Sequence, residues 1–187
     1  MLPIYVVNNY GQFNHLIHRA LRDLDIEVSM IPNTTPPDNV ASGCRGIILG
    51  GGPTIDRAGY CARYLDLGIP VLGICLGLHI IAQKFGGDVH PGKSGGYGSV
   101  DVEILKEDTI LRGYSGTIPV WASHADEVFR IPDGFTRLAR SSICEAEAIA
   151  CEAKQIYGVQ WHPEVSHTFE GRRVFLNFNA ITLDHCA

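Results

Sequence analysis

The sequence lacks long apolar runs, a basic N-terminal segment and any excess of positive charge. No stretch of its 187 residues approaches the ~18 consecutive apolar residues of a membrane-spanning helix. No basic residues precede the first apolar segment, so we expect no secretion signal. The net charge is −5, from 15 Lys and Arg against 20 Asp and Glu, whereas nucleic-acid binding needs clustered cations. We therefore expect a cytoplasmic protein with no membrane and no nucleic-acid partner.

Closely paired cysteines are also absent. The six cysteines include no Cys-x-x-Cys spacing and lie at positions 44, 61, 75, 144, 151 and 186. Because nothing indicates an oxidising compartment, we expect free and mostly buried thiols rather than disulfides. His15 and His18 lie three residues apart in a predicted helix, but no third ligand is evident, so no metal site is expected.

The first half of the chain alternates short apolar strands with helices. Strands are predicted at residues 4–7, 27–31, 46–49 and 70–74, and helices at residues 16–24, 60–67 and 76–85. This alternation is typical of βαβ units, which build a parallel sheet with helices on its faces.

The second half of the chain has a different pattern, and residues 100–105 alternate apolar and polar side chains, as a half-exposed strand does. Strands are predicted at residues 100–105, 118–122, 148–152 and 155–161, and a final helix at residues 171–183. The last two strands are predicted to form a hairpin. Since no linker or repeat interrupts the chain, we predict a single domain over residues 1–187. Its fold class is α/β, with a mostly parallel sheet flanked by helices and an antiparallel addition.

Residues 87–94 match the phosphate-binding pattern G-x-x-x-x-G-K-[ST]. That pattern binds phosphate where a strand precedes it and a helix follows it. Here a helix precedes it, and the run Ser-Gly-Gly-Tyr-Gly at residues 94–98 leads into a strand. We therefore interpret residues 87–99 as a glycine-rich surface loop and expect no nucleotide site in this chain.

Cys75 lies in the segment Gly73-Ile74-Cys75-Leu76-Gly77, between a predicted strand and a predicted helix. This G-x-[SC]-x-G pattern is typical of a nucleophile elbow, whose glycines permit the close approach of neighbouring backbone. A helix N-terminus also favours thiolate over thiol. A buried structural cysteine is the alternative, but strand, turn and helix all agree with the elbow. We predict that Cys75 is a nucleophile.

A cysteine nucleophile needs a base and a group that orients the base. His162 and Glu164 lie in the run Trp-His-Pro-Glu after a predicted strand, and we predict them for these two roles. The tetrahedral oxyanion needs two donors. We predict the amide of Leu76 as one, and as the other the amide of Gly52, in the Gly-Gly-Gly-Pro turn after the third strand, with Gly51 as the alternative.

These segments together resemble the class I glutamine amidotransferases. The Gly-Gly-Pro turn, the elbow Gly-Ile-Cys-Leu-Gly and the terminal run Gly-Val-Gln-Trp-His-Pro-Glu carry the resemblance, which covers nearly the whole chain. It implies a flavodoxin-like fold, L-glutamine as substrate, and a triad of Cys75, His162 and Glu164. His79 departs from the family, which has a substrate-holding glutamine at this position. His79 lies four residues after Cys75 on one helix face, so it is a candidate for the same contact, a tolerated replacement being the alternative.

Two segments are similar to the branch of this family that serves GMP synthesis: Ser-His-Ala-Asp-Glu-Val at residues 123–128, and residues 162–168. The similarity implies a separate ATP pyrophosphatase subunit that uses the ammonia to convert xanthosine monophosphate (XMP) to GMP. ATP and Mg²⁺ are expected on that partner, and no cofactor is expected in this chain. The implied substrate-binding residues are Gly51, His79, Ser123, His124 and Asp126.

Three other functions remain open on the sequence alone. The nearest is the glutaminase subunit of anthranilate or aminodeoxychorismate synthase, whose members usually carry different residues at 123–128. A cysteine peptidase could use the same elbow. A regulatory binding module could keep the fold with a site weakened at His79. Ammonia release from a γ-carboxamide would exclude the peptidase, and trapping of a thioester would exclude the binding module.

Overall fold

The structure is a computed structural model that describes residues 1–107 and 109–186, with the backbone but not the side chains of residues 93–95. The strands are β1 (Ile4–Asn8), β2 (Val28–Pro32), β3 (Gly46–Leu49), β4 (Val71–Ile74), β5 (Asp88–Ile104), β6 (Thr117–Arg130), β7 (Thr136–Ser141), β8 (Ala148–Cys151) and β9 (Ile156–Val159). The helices are α1 (Asn14–Arg22), α2 (Pro37–Gly43), α3 (Cys61–Tyr64), α4 (Leu76–Lys84) and α5 (Arg172–His185). All these strands join one sheet.

Parallel pairing builds one half of the sheet, in the order β2-β1-β3-β4-β9. The residues of β3, β4 and β9 are buried throughout, which is typical of parallel strands covered on both faces. The carboxyl ends of these strands lie at one edge of the sheet, where α/β proteins bind their ligands. This edge carries the candidate site.

Antiparallel pairing extends the sheet from β9 through β8, β7 and β5 to β6. The last two predicted strands form the hairpin β8-β9, with a short 3-10 turn at Glu152–Lys154. The predicted α/β class, with a parallel sheet flanked by helices and an antiparallel addition, is confirmed.

The predicted surface loop at residues 87–99 is wrong. Strand β5 runs from Asp88 to Ile104 and pairs with β6, with a register shift between Pro91 and Gly96. A Cβ at Gly96 would lie 2.3 Å from Nε2 of His124, so this glycine permits a close approach between two strands. The strand also occupies the position at which a phosphate-binding pattern would need a helix.

Helices cover both faces of the parallel half. Helices α1 and α5 pack on one face, where Leu21 and Phe178 enter the core. Helices α2, α3 and α4 pack on the other face through Val40, Tyr64 and Ile81. The two apolar layers together hold the strand ends in a fixed position beneath the candidate site.

Several element boundaries differ from the prediction. The helix predicted at residues 60–67 is a single helical turn. After Tyr64 the backbone forms three-residue turns, in which the N–H groups of Asp66 and Leu67 donate to the carbonyls of Arg63 and Tyr64, and Gly68 then adopts a positive φ of 71°. Helix α2 and strand β7 were not predicted, although a proline at the first position of α2 is a common start signal. Strand β6 continues to Arg130, well beyond the predicted residues 118–122.

The structure also bears on the predictions about membrane spans, cysteines and metal binding. Within the described residues, no helix is long and apolar enough to cross a membrane. The six cysteines are free thiols, and five of them are buried, as the sequence predicts. No group of three or more His, Cys, Asp or Glu in the same part of the chain is placed to hold a metal ion.

Truncation of Phe178 tests how strongly α5 is held to the sheet. The side chain is fully buried, and a Cβ at Gly46 of β3 would lie 3.4 Å from its ring. Phe178→Ala should lower the free energy of unfolding by about 3–5 kcal/mol in urea denaturation. Leu176→Ala, in the same helix and 48% exposed, is the matched control, with an expected change of about 0.5 kcal/mol or less. Equal losses in the two variants would contradict this packing.

Candidate active site

Cys75 lies at the turn from β4 into α4, at the carboxyl edge of the parallel strands. Its φ of 54° and ψ of −106° form a backbone conformation that residues other than glycine rarely adopt. The N–H of Cys75 donates to the carbonyl of Val159 in β9 (2.9 Å). Its Sγ lies 3.8 Å from the carbonyl oxygen of Ser123 in β6. The strained turn therefore holds the thiol beside the ends of β9 and β6.

Two glycines flank Cys75 because backbone atoms occupy the space of their side chains. A Cβ at Gly73 would lie 2.4 Å from the carbonyl carbon of Gly77. A Cβ at Gly77 would lie 2.2 Å from the carbonyl oxygen of Leu49. Helix α4 thus packs against β3 and β4 only when both positions lack a side chain. These contacts account for the spacing of the elbow.

His162 and Glu164 follow β9 as a buried, hydrogen-bonded pair. Nδ1 of His162 lies 2.7 Å from Oε1 of Glu164, and the two side chains are only 5% and 1% exposed. Since a carboxylate accepts, Nδ1 carries the proton and Nε2 is left for another partner. A Cβ at Gly51 would lie 3.5 Å from Cε1 of His162 and 4.0 Å from the Cβ of Cys75. The imidazole and the nucleophile therefore meet beside Gly51.

The pKa of His162 is raised above its ordinary value. Burial alone lowers this pKa, but hydrogen bonds to Cys75 and Glu164, together with the charges of both groups, raise it by more. The ring of Phe13 contacts the imidazole edge-on, with the two centroids 4.9 Å apart. His162 is therefore a proton acceptor held in one position next to Cys75.

Strand β6 anchors the loop that carries His162. The carbonyl of Trp121 accepts the N–H of His162 (2.9 Å), and the N–H of Trp121 donates to Oγ1 of Thr168 (3.0 Å). The hydroxyl of Thr168 in turn donates to the carbonyl of His162 (2.7 Å). The antiparallel half of the sheet thus fixes the loop that follows the parallel strand β9.

Two unpaired backbone amides lie near the nucleophile. Gly52, in the turn after β3, lines the same cavity as Cys75, and its N–H has no acceptor within the described residues. The N–H of Leu76 begins α4 and so has no acceptor inside the helix. Paired amide donors beside a nucleophile are the arrangement that a tetrahedral oxyanion requires.

An open cavity of about 280 Å³ lies between these groups. It brings together five residues singled out in the sequence, namely Gly51, Gly52, Cys75, Ser123 and His162. The other lining residues are Tyr10, Gly11, Gln12, Phe13, Asn14 and Pro53.

Comparison with known proteins identifies the family. The family model for class I glutamine amidotransferases matches residues 5–181. The chain belongs to the class I glutamine amidotransferase family. The family and enzyme class predicted from the sequence are therefore confirmed.

Relatives within this family have high identity and full coverage. A subunit of the glutamine-hydrolyzing GMP synthase of Methanoregula boonei is 76% identical over 181 residues, which is 97% of this chain and 98% of that protein. The corresponding protein of Methanoculleus marisnigri is 64% identical, with the same coverage of both chains. A crystal structure of a Thermoplasma acidophilum protein described as a GMP synthase subunit matches with a TM-score of 0.95 and 36% identity, covering 100% of this chain and 96% of that one.

The sequence resemblance makes His79 a candidate for contact with the substrate, in place of the glutamine expected at this position. The imidazole is buried, and its Nε2 lies 2.8 Å from Oε1 of Gln160. Burial is the main cause that lowers the pKa of His79. The lining described for the cavity does not include His79, whose side chain instead contacts Gln160, the residue that follows β9.

Two further residues predicted to bind substrate, His124 and Asp126, lie outside the cavity beside the nucleophile. Nδ1 of His124 lies 2.9 Å from the carbonyl oxygen of Asp126, and burial lowers the pKa of His124 to about 4. Asp126 lines a second cavity of about 260 Å³ together with Asp56, Gln83 and His90. Of the predicted substrate residues, Gly51 and Ser123 therefore line the first cavity and Asp126 lines the second, whereas His79 and His124 appear in neither lining.

Residues 10–14, which comprise part of the loop after β1 and the first residue of α1, form a wall of the first cavity that was not predicted from the sequence. The sequence does contain one indication that this segment lies near the site. The run Asn-Asn-Tyr-Gly at residues 8–11 follows a buried parallel strand, and loops at the carboxyl ends of such strands share one edge of the sheet.

Glu164→Gln should lower the pKa of His162, because the carboxylate raises it through both a hydrogen bond and its charge. NMR titration of the Cε1–H resonance of His162 measures this change, and its midpoint should move to lower pH. Glu170→Gln is the control, because it removes a carboxylate that pairs with Arg173 at the surface. In this variant the titration midpoint of His162 should equal that in the unmodified chain. An unmoved midpoint in Glu164→Gln would show that the carboxylate does not control the imidazole.

Proposed function

We propose that this chain is the glutaminase subunit of a two-subunit GMP synthase and hydrolyses L-glutamine to glutamate and ammonia. One observation carries the proposal: the buried pair His162–Glu164 adjoins Cys75, and the amides of Gly52 and Leu76 have no acceptor among the residues that the structure describes. Relatives named as a subunit of glutamine-hydrolyzing GMP synthase, at identities from 52% to 76%, support the assignment to GMP synthesis.

In the first half of the reaction, Sγ of Cys75 attacks the carbonyl carbon of the γ-carboxamide while Nε2 of His162 takes the thiol proton. The carbonyl oxygen becomes an oxyanion, which the amides of Gly52 and Leu76 bind. His162 returns the proton to the nitrogen as the carbon–nitrogen bond breaks. Ammonia leaves, and a γ-glutamyl thioester remains on Cys75.

In the second half, water replaces ammonia beside the thioester. His162 takes a proton from this water as its oxygen attacks the carbonyl carbon, and the same two amides bind the new oxyanion. The carbon–sulfur bond breaks, the proton passes to Cys75, and glutamate leaves. Throughout both halves, Glu164 keeps the proton of the imidazole on Nδ1 and stabilises the imidazolium.

We further propose that glutamine spans the two cavities. Gly51 and Ser123 lie beside the carboxamide in the first cavity, and Asp126 supplies a carboxylate for the α-ammonium group in the second. His124 supports Asp126 by its contact with the backbone carbonyl of that residue. His79 acts through Gln160 rather than by direct contact with glutamine.

Ammonia is a nucleophile only while it is unprotonated, so release into bulk water would waste it. We propose that it passes to a separate ATP pyrophosphatase subunit, which converts XMP to GMP and binds ATP and Mg²⁺. The groups needed for glutamine hydrolysis are side chains and amides of this chain, so its own step requires no cofactor. The relatives support a partner through their name, which is that of one subunit of a larger enzyme.

Cys75→Ser should abolish glutamate release with little change in the fold, because a hydroxyl fits the space of the thiol but is a far weaker nucleophile. His162→Ala should lower kcat by roughly 10²–10⁴-fold, since it removes base and acid together. Coupled detection of glutamate measures both variants. Cys186→Ser, at the exposed end of α5, is the control and should keep the unmodified rate. Near-normal turnover in Cys75→Ser would refute the nucleophile.

Reconstitution tests the GMP synthase assignment. The chain is mixed with the ATP pyrophosphatase subunit from the same source, ATP, Mg²⁺, XMP and glutamine, and GMP is measured by chromatography. We expect glutamine-dependent GMP formation that disappears with Cys75→Ser and returns when ammonium replaces glutamine. Chorismate with an anthranilate or aminodeoxychorismate synthase subunit is the parallel trial. If product forms only from chorismate, the chain is a subunit of the chorismate-using synthase. If product forms in neither trial, a regulatory binding module is favoured.

A further inference from the structure

The peptide that links Gly51 to Gly52 is held by two donors, one in the loop between β1 and α1 and one in the first residue of α1. The carbonyl oxygen of Gly51 accepts the N–H of Gly11 (3.1 Å) and Nδ2 of Asn14 (3.0 Å). The described chain has no cis peptide bond, and in a trans peptide the carbonyl and the following N–H point in opposite directions. The two bonds therefore turn the N–H of Gly52 to the other side of the peptide, where no described group accepts it.

Asn14 is held in place on three sides. It is the first residue of α1 and only 2% exposed. Its Nδ2 also donates to Oδ1 of Asn8 (2.9 Å), which fixes the orientation of the amide. Its Oδ1 lies against Gly50, where an added Cβ would be only 2.4 Å away. The side chain thus fills the space between the end of β1 and the turn after β3.

We propose that Asn14 is a positioning residue of the glutaminase reaction, because its amide holds the Gly51-Gly52 peptide in the orientation that offers the N–H of Gly52 to the oxyanion. The inference rests on the proposed function. Asn14 acts through the peptide and needs no contact with glutamine. A peptide between two glycines rotates easily, since neither residue restricts φ and ψ. Loss of the amide therefore lets the Gly52 N–H leave the oxyanion, and loss of one such donor costs about 10²–10³-fold in kcat.

Asn14→Leu removes the donor, keeps a similar volume and adds no charge. In the complex with the synthetase subunit, ATP, Mg²⁺ and XMP, we expect kcat for glutamate release to fall at least ~10-fold, with KM for glutamine changed less than about threefold. Alkylation of Cys75 by iodoacetamide, followed by peptide mass spectrometry, should keep its rate. That reaction uses the thiol and His162 but forms no oxyanion, so it separates a displaced peptide from a disturbed nucleophile.

A second variant and a matched control accompany this test. Gly50→Ala places a methyl group against Oδ1 of Asn14 and pushes the amide aside, so the same kinetic pattern is expected. Asn177→Leu is the control, because Nδ2 of Asn177 also donates to two carbonyls, those of Ile110 and Arg112, outside the cavity. It should keep the unmodified kcat.

Three results would overturn the role of Asn14: a kcat within about twofold of the unmodified chain, an equal loss in Asn177→Leu, or an equal loss in the alkylation rate. If Asn14→Leu does not fold, Gly50→Ala decides by the same criteria. The unmodified complex reports on the proposed function independently. Lack of glutamate release from it refutes the glutaminase, whereas an active complex with unaffected variants refutes only the role of Asn14.

Discussion

The contact between Gly77 and the carbonyl of Leu49 is the constraint on which the site depends. It brings the first turn of α4 against β3 and leaves room for no side chain. Because α4 starts so close to the sheet, Cys75 must bridge strand and helix with a positive φ. A backbone of this kind costs on the order of 1–3 kcal/mol, which the buried side chains of α4, such as Leu78 and Ile81, offset through packing.

The antiparallel half of the sheet is part of the site and not only an extension of the fold. Parallel strand β9 delivers His162 to the edge that carries Cys75, but a loop after a strand has no fixed direction of its own. Trp121 of β6 supplies that direction through hydrogen bonds to His162 and Thr168. The same strand places the carbonyl of Ser123 next to the thiol. Rigid placement of these groups is what general acid–base chemistry requires.

Loops after three parallel strands converge on one small space. The segment after β1 holds the carbonyl of Gly51, the turn after β3 carries the amide of Gly52, and the elbow after β4 carries Cys75. Each loop leaves a buried strand, so the distances between loops follow from the spacing of the sheet. His79 leaves this arrangement intact, because its ring contacts Gln160 and is not part of the lining of the cavity.

The sequence by itself determined the features that depend on neighbouring residues. Strand and helix periods predicted the α/β class, the glycines around Cys75 indicated a sharp strand-to-helix turn, and the two-residue spacing of His162 and Glu164 put both in one loop. Only the tertiary structure decided the features that depend on distant segments. Residues 88–99 belong to a strand because β6 pairs with residues 88–91 and 96–99, despite a glycine-rich composition typical of a loop. Likewise, α1 and β3 bring Asn14 to the Gly51 carbonyl across 37 positions of sequence, since local patterns carry no information about which distant groups packing will join.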